Sequence, residues 1–249
     1  MERNLFLIPK IPLEDVKSDI DALLWSMKMY EVRRFHGQKD WEKENKSSDR
    51  ALEIEPYPRL ENDAEHTFLV CDAVLLLGGH FPDLDHSRCL KLAVIHDKPE
   101  IETGDDEPVG NNWGEDTHAN CAEIQEERKK RELAVIKRHV RRLRPSVRLE
   151  MGNLYFEMAE EKTPEALFVK AVDKICGLLF IYKKKNGDMR DKYLWFSLNY
   201  ARKSIRYFSG LMLHFEEVRH RLIEDVARAR GITPKEVLAA IEQQAKENS

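Results

Sequence analysis

The chain has 249 residues, and its 41 Lys and Arg against 45 Asp and Glu leave a formal charge of −4. Near-neutrality argues against a protein that coats nucleic acid through bulk charge. The 42% apolar share provides for a real core and excludes a disordered chain, and the length suits a single domain, residues 1–249.

In chain order the periodicity is helical almost throughout. Val16, Ile20, Leu23 and Met27 form one stripe of an amphipathic helix that begins after Pro12. Residues 30–60 are polar and irregular, with Pro56 and Pro58 holding the chain extended. A helix from about Asn62 to Gly78 is apolar nearly all round, which predicts a central position. Ser87 to His96 reads as a second apolar helix that ends or bends near Pro99. Residues 104–118, rich in Gly and Asn, read as a long loop, and a helix follows over about 119–143 until Pro145. Thr163-Pro164-Glu165 caps a helix that runs to about Lys183. After Asn186-Gly187 come helices near 191–209 and 211–229, and Thr233-Pro234 starts a last short one. No segment alternates like a strand, so the fold class is all-α.

The longest apolar stretch, Phe68 to Gly79, is too short to span a bilayer and is interrupted by Asp72. Residues 1–10 show no small-residue cleavage site, so no secretory signal is expected. Cys71, Cys89, Cys121 and Cys176 form no CxxC; three lie in apolar helical segments and read as reduced thiols. A cytoplasmic location is the expectation.

Three segments carry chemistry. They are Glu65-His66 near the start of the apolar helix, His96-Asp97 at the end of the next, and Asp173 in the apolar stretch 166–180. Asp173 shares a helical face with Val169, Cys176 and Phe180, where an ionised carboxylate is costly unless a cation or several donors hold it. Two imidazoles and two carboxylates make a mixed nitrogen and oxygen set suited to a divalent metal ion: Co²⁺, Mn²⁺, Fe²⁺, Ni²⁺, Zn²⁺ or Mg²⁺. Neighbours on a regular helix diverge by about 100°, so His96 and Asp97 reach one ion only if the helix ends there. Taken singly, a His-Asp pair or a buried Asp reads more readily as a structural contact than as a metal ligand. Their occurrence in order on three apolar helices is the stronger signal.

The pattern resembles the HD-domain metal-dependent phosphohydrolases, over about residues 50–183. The local match is to the 5′-deoxynucleotidase branch: an acid before His66, the block His96-Asp97-Lys98-Pro99-Glu100 with Gly104-Asp105, and Val169-Lys170-Ala171-Val172-Asp173. The resemblance implies a five- or six-helix core around one divalent metal held by His66, His96, Asp97 and Asp173. It implies that Glu100 and Asp105 assist proton transfer at the attacking water and the leaving oxygen. The implied substrate is a nucleotide, most simply a nucleoside or deoxynucleoside 5′-monophosphate, hydrolysed by attack of a metal-bound water on phosphorus. The branch also carries a phosphate-binding arginine about fifteen residues before the first His, usually followed shortly by Trp. Arg50 best matches that spacing and Arg59 is the second candidate, although Ala51 follows Arg50. A homodimer is compatible with the resemblance, dimers being common in that branch.

Other readings stay open. On the same core, a nucleoside triphosphate or alarmone hydrolase would differ in its product. A non-enzyme reading starts from charge layout: residues 100–127 hold ten acids and no Lys or Arg, whereas 128–148 hold ten Lys or Arg and one acid, Glu132. Leu133, Ile136, Val140 and Leu143 make the basic segment a core-facing helix, which favours a solvated basic face over a nucleic-acid site. Lys170 pairs with a nearby acid or is solvated, and His118, in the long loop, reads as a surface residue, with entry into the cavity left open. The helices over 184–249 form an extension that packs on the core or offers a dimer contact.

Overall fold

The computed structural model describes residues 12–35, 60–110 and 112–247. Among these residues there is no strand, and the fold is all-α.

Helix α1, Leu13–Met27, follows Pro12 and carries Glu14 and Asp15 in its first turn. Its apolar stripe differs from expectation: among the described residues Ile20, Leu23 and Met27 stay exposed, and Trp25 is the buried contact. Trp25 stacks on His139 with ring centroids 3.8 Å apart. A short 3₁₀ turn, Lys28–Tyr30, leads into Arg33, which bridges Asn62 in an antiparallel pair. The Arg34 amide donates to the Glu61 carbonyl at 3.0 Å, and the Asp63 amide to Val32 at 3.1 Å. The segment after α1 is thereby fastened to the start of the next helix.

That helix, α2, spans Asp63–Gly78. Asn62 and Glu65 form a reciprocal capping box, which sets where the helix begins and puts His66 in its first turn. Helix α2 is not the central helix. Asp63, His66, Val70 and Val74 face inward, at offsets of three and four residues, while Phe68, Leu75 and Leu76 are well exposed. Apolar composition did not decide which faces are covered.

Helix α3, His86–Ile95, is capped by Asp85, whose carboxylate accepts from the Arg88 amide at 2.9 Å. It ends at Ile95, leaving His96–Pro99 as a turn before the one-turn helix α4, Glu100–Thr103. Helices α5, Ala122–Arg142, and α6, Pro145–Glu160, pack against each other. Pro145 therefore both follows one helix and opens another, because a first-turn proline lacks only an amide that has no helical partner. The second helix has no counterpart among the sequence expectations.

The centre of the fold is α7, Pro164–Lys185, capped by Thr163. It packs on α2, on α3, and on α8 and α9 (Asp191–Ile205 and Met212–Arg230). Its Phe168, Val169, Val172 and Cys176 are fully buried. The final helix, α10, Pro234–Glu247, rests on α8 and α9. Leu194, Leu211 and Phe215 are buried, so the C-terminal helices pack on the core. Each such side chain contributes about 1.5–3 kcal/mol when removed from water. No helix among the described residues is long and apolar enough to cross a membrane.

Candidate metal centre

Four side chains meet where α2, the end of α3 and α7 approach one another. His66 Nε2 lies 2.9 Å from Asp173 Oδ1 and 3.9 Å from Asp97 Oδ2. His96 Nε2 lies 3.1 Å from the same Asp97 oxygen. The end of α3 at Ile95 frees His96 and Asp97 from helical divergence, so both point to one place.

Both imidazoles are oriented from behind. His96 Nδ1 donates to the Ala93 carbonyl at 2.7 Å, which leaves Nε2 as the atom with a lone pair. His66 Nδ1 sits 3.3 Å from Glu61 Oε2. Backbone carbonyls and carboxylates commonly hold metal-ligating histidines this way. His96 Nε2 is buried and has no hydrogen-bond partner. A buried lone pair facing two carboxylates and a second imidazole is what a divalent ion would satisfy, so these residues fit one. His66, His96 and Asp173 offer ligand atoms that all lie within 4.8 Å of one another.

Burial presses the His66 imidazole toward neutrality, as does the Arg34 guanidinium. The hydrogen bond to Asp173 and the nearby Glu61 carboxylate outweigh both and raise it to about 9. Burial also opposes ionisation of Asp97 and Asp173. His96 and Arg34 nevertheless hold Asp97 low, and Lys174 and His66 hold Asp173 low. Lys174 Nζ stands 2.9 Å from Asp173 Oδ2.

The centre opens into a cavity of about 650 Å³. Glu100 and Asp105 both line it. Gly104, at φ 77°, turns the chain in a conformation that L residues rarely adopt, and Asp105 follows directly. Glu100 is held well above the usual carboxylate range by burial and by Asp97 and Asp105, although Arg128 donates to its Oε1 at 2.9 Å. His118 is also in the cavity wall, not on the surface as the sequence suggested. Its Nε2 lies 3.0 Å from Arg128 and 3.1 Å from the Tyr200 hydroxyl, and burial, with Arg128, Lys174 and Lys170 nearby, lowers it to about 3. Lys170 pairs with Glu161 at 2.6 Å.

Arg50 and Arg59 lie outside the described residues. Among the described residues, the guanidinium that reaches Asp97 is Arg34, which sequence reasoning missed. Its Nη1 donates to Asp97 Oδ2 at 2.9 Å, and its Nε lies 3.5 Å from Glu61. Arg34 is followed at once by Phe35, the aromatic neighbour that Arg50 lacks, and Phe35 stacks on Phe180 at 5.1 Å. That arginine-aromatic pair just after the first helix was the available signal for Arg34.

Residues 44–211 match the HD domain family. The chain belongs to that family. Among curated relatives, 5′-deoxynucleotidase hdd1 of Schizosaccharomyces pombe is 30% identical over 141 residues, covering 54% of this chain and 66% of the relative. 5′-Deoxynucleotidase HDDC2 is 27% identical in Xenopus laevis, covering 53% of this chain and 62% of the relative. The human form is 28% identical, covering 47% of this chain and 50% of that relative. The HD chain thus spans between half and two thirds of these relatives' lengths. A predicted metal-dependent phosphohydrolase of Magnetospirillum magnetotacticum superposes with a TM-score of 0.57 at 19% identity, over 87% of this chain and 97% of that one. A conserved hypothetical protein of Pyrococcus furiosus gives 0.55 at 21%, over 80% and 98%. At these identities the likeness is one of fold.

Proposed function

We propose that the protein is a metal-dependent phosphomonoester hydrolase acting on nucleotides, with deoxynucleoside 5′-monophosphates as its substrates. The observation that carries the reading is the convergence of two pre-oriented imidazoles and two aspartates beside a cavity. Its volume, about 650 Å³, falls in the range of small-molecule sites. The similarity to 5′-deoxynucleotidases supports the choice of substrate.

His66, His96, Asp97 and Asp173 would hold one divalent ion. When bound, the ion supplies Lewis acidity, lowering the pKa of water and offsetting phosphoryl charge. The other roles fall to the chain's own side chains. Arg34, whose Nη1 donates to Asp97, brings a guanidinium to the centre, where it can meet the phosphate. Glu100, held above the usual carboxylate range by burial and Asp97, is placed to pass a proton to the departing 5′-oxygen, and Asp105 is the second acid of the cavity. Phe35 gives the cavity an apolar wall beside Arg34.

The test is phosphate release from deoxynucleoside monophosphates by protein stripped with chelator and reloaded with Co²⁺ or Mn²⁺. Activity is expected with metal, and is lost with chelator or in Asp97→Ala. Full activity in Asp97→Ala contradicts the proposal. Release of pyrophosphate or triphosphate from nucleoside triphosphates, with no release from monophosphates, contradicts the substrate.

A further inference from the structure

Helix interiors disfavour glycine, which has more backbone freedom to lose than alanine and no side chain to pack. Two of the described glycines nevertheless stand well inside long helices, Gly152 in α6 and Gly177 in α7. Gly152 lies against a neighbouring helix: a Cβ there would touch Val140 Cγ1 of α5 at 3.6 Å. Gly177 has no such neighbour. Apart from its chain neighbours and its own helical turns, no atom of the described residues comes within 4 Å of where its Cβ would stand. The backbone is regular α-helix at this point. Neither packing nor backbone conformation therefore calls for glycine at 177.

What Gly177 faces is the cavity. Asp173, Gly177 and Ile181 follow one another at steps of four residues along the face of α7 that lines it. Gly177 stands one turn beyond Asp173 of the candidate centre, about 6 Å along the helix axis. The two directions along this face differ in chemistry. One turn before Asp173 is Lys170, paired with Glu161 at 2.6 Å. Beyond Asp173, Lys174 is drawn back onto the Asp173 carboxylate and the Tyr200 ring. The wall then continues as Gly177, Leu178 and Ile181. Phe35, stacked on Phe180 of the same helix, lines the cavity too. A nucleoside is uncharged and largely apolar, so it suits this second direction.

We propose that Gly177 is the seat of the substrate's deoxyribose, a specificity-determining position at which the sugar packs against bare helix backbone. The phosphate at the centre fixes one end of the nucleotide, and the sugar is the next group along it. Close approach of backbone to a ligand is a recurring use of glycine. A methyl group at 177 would occupy the space that the ring needs. The inference rests on the nucleotide reading of this site and adds where along α7 the nucleoside lies.

The test compares Gly177→Ala with the unsubstituted protein, both loaded with Co²⁺. Each is titrated calorimetrically with deoxyadenosine and, separately, with inorganic phosphate, neither of which is turned over. Affinity for deoxyadenosine is expected to fall about tenfold or more in the variant, the effect of one extra methyl group in a close-fitting site, with phosphate affinity unchanged. The thermal midpoint is expected to rise by about 2–4 °C, because alanine is the better helix former and meets nothing there. Unchanged deoxyadenosine affinity in the variant overturns the proposal, as does an equal loss for both ligands. A lowered midpoint also overturns it, since the glycine would then serve the fold. Phosphate binding without deoxyadenosine binding in the unsubstituted protein overturns the sugar seat and leaves the centre standing. Absence of phosphate binding overturns the reading of the centre, and this proposal with it.

Discussion

Residues 100–106 serve two regions that handle charge in opposite ways. Glu100 is buried at the cavity and keeps one oxygen without a partner. Glu102 and Asp106, a few residues on, instead meet Arg138 and Arg131 of α5, each at 2.6 Å. Those arginine side chains are about half exposed, at 50% and 45%. Exposed pairs of this kind contribute at most about 1 kcal/mol, because water and salt screen them. Buried charges carry a desolvation cost of several kcal/mol each, and breaking a pair leaves that cost unanswered. The acid-rich and base-rich runs that stand out in the sequence meet here across a solvated face. The chemically potent charges are the few that burial isolates.

The largest expected effect is at Asp173, which answers both His66 and Lys174. Asp173→Ala in metal-free protein is expected to cost about 3–5 kcal/mol in urea unfolding. A loss under about 1 kcal/mol would place this buried corner in the same class as the outer pairs. Arg34→Ala comes next: losing a charged hydrogen bond of about 1.5–3 kcal/mol lowers kcat/KM roughly 10- to 100-fold. An unchanged kcat/KM would remove Arg34 from phosphate binding.

His139 sharpens the contrast within α5 itself, since it is buried beside exposed Arg138. Burial, with Lys98 and Arg142, lowers its imidazole to about 4, against about 6.5 in an unfolded chain. Between those values the unfolded chain holds a proton that the folded one lacks, so stability falls as pH drops from about 6.5 toward 4. His139→Phe keeps a ring against Trp25 and is expected to flatten that slope in urea midpoints taken from pH 6.5 to 5. An equal slope in both proteins assigns the acid sensitivity elsewhere. The smallest effect belongs to Arg138→Ala, expected to change stability by less than about 1 kcal/mol and to leave phosphate release unaltered.

The convergence of His66, His96, Asp97 and Asp173 was legible because the chemistry of these residues is written locally. His96-Asp97 is a dipeptide, Pro99 marks the helix end beside it, and Asp173 is a charge in an apolar helix. The all-α class followed from period alone. Burial was not legible in the same way. Helix α2 is apolar all round, yet Phe68, Leu75 and Leu76 face outward while α7 takes the centre, because composition does not say which faces find partners. Helix α6 was hidden by Pro145, which can end one helix and begin the next. Arg34 escaped because residues 36–59 lengthen the path to His66, so distance along the chain pointed to Arg50. The pairing of Arg33 with Asn62 restores proximity in space that the sequence had lost.

The central claim is that the two Nε2 atoms, presented by Ala93 and Glu61 from behind, are metal ligands. X-ray absorption at the cobalt edge of the protein loaded with one equivalent of Co²⁺ tests it directly. The account predicts two imidazole nitrogens with oxygen donors in the first shell, falling to one imidazole in His96→Ala. A first shell without imidazole, or one unchanged by His96→Ala, would contradict it.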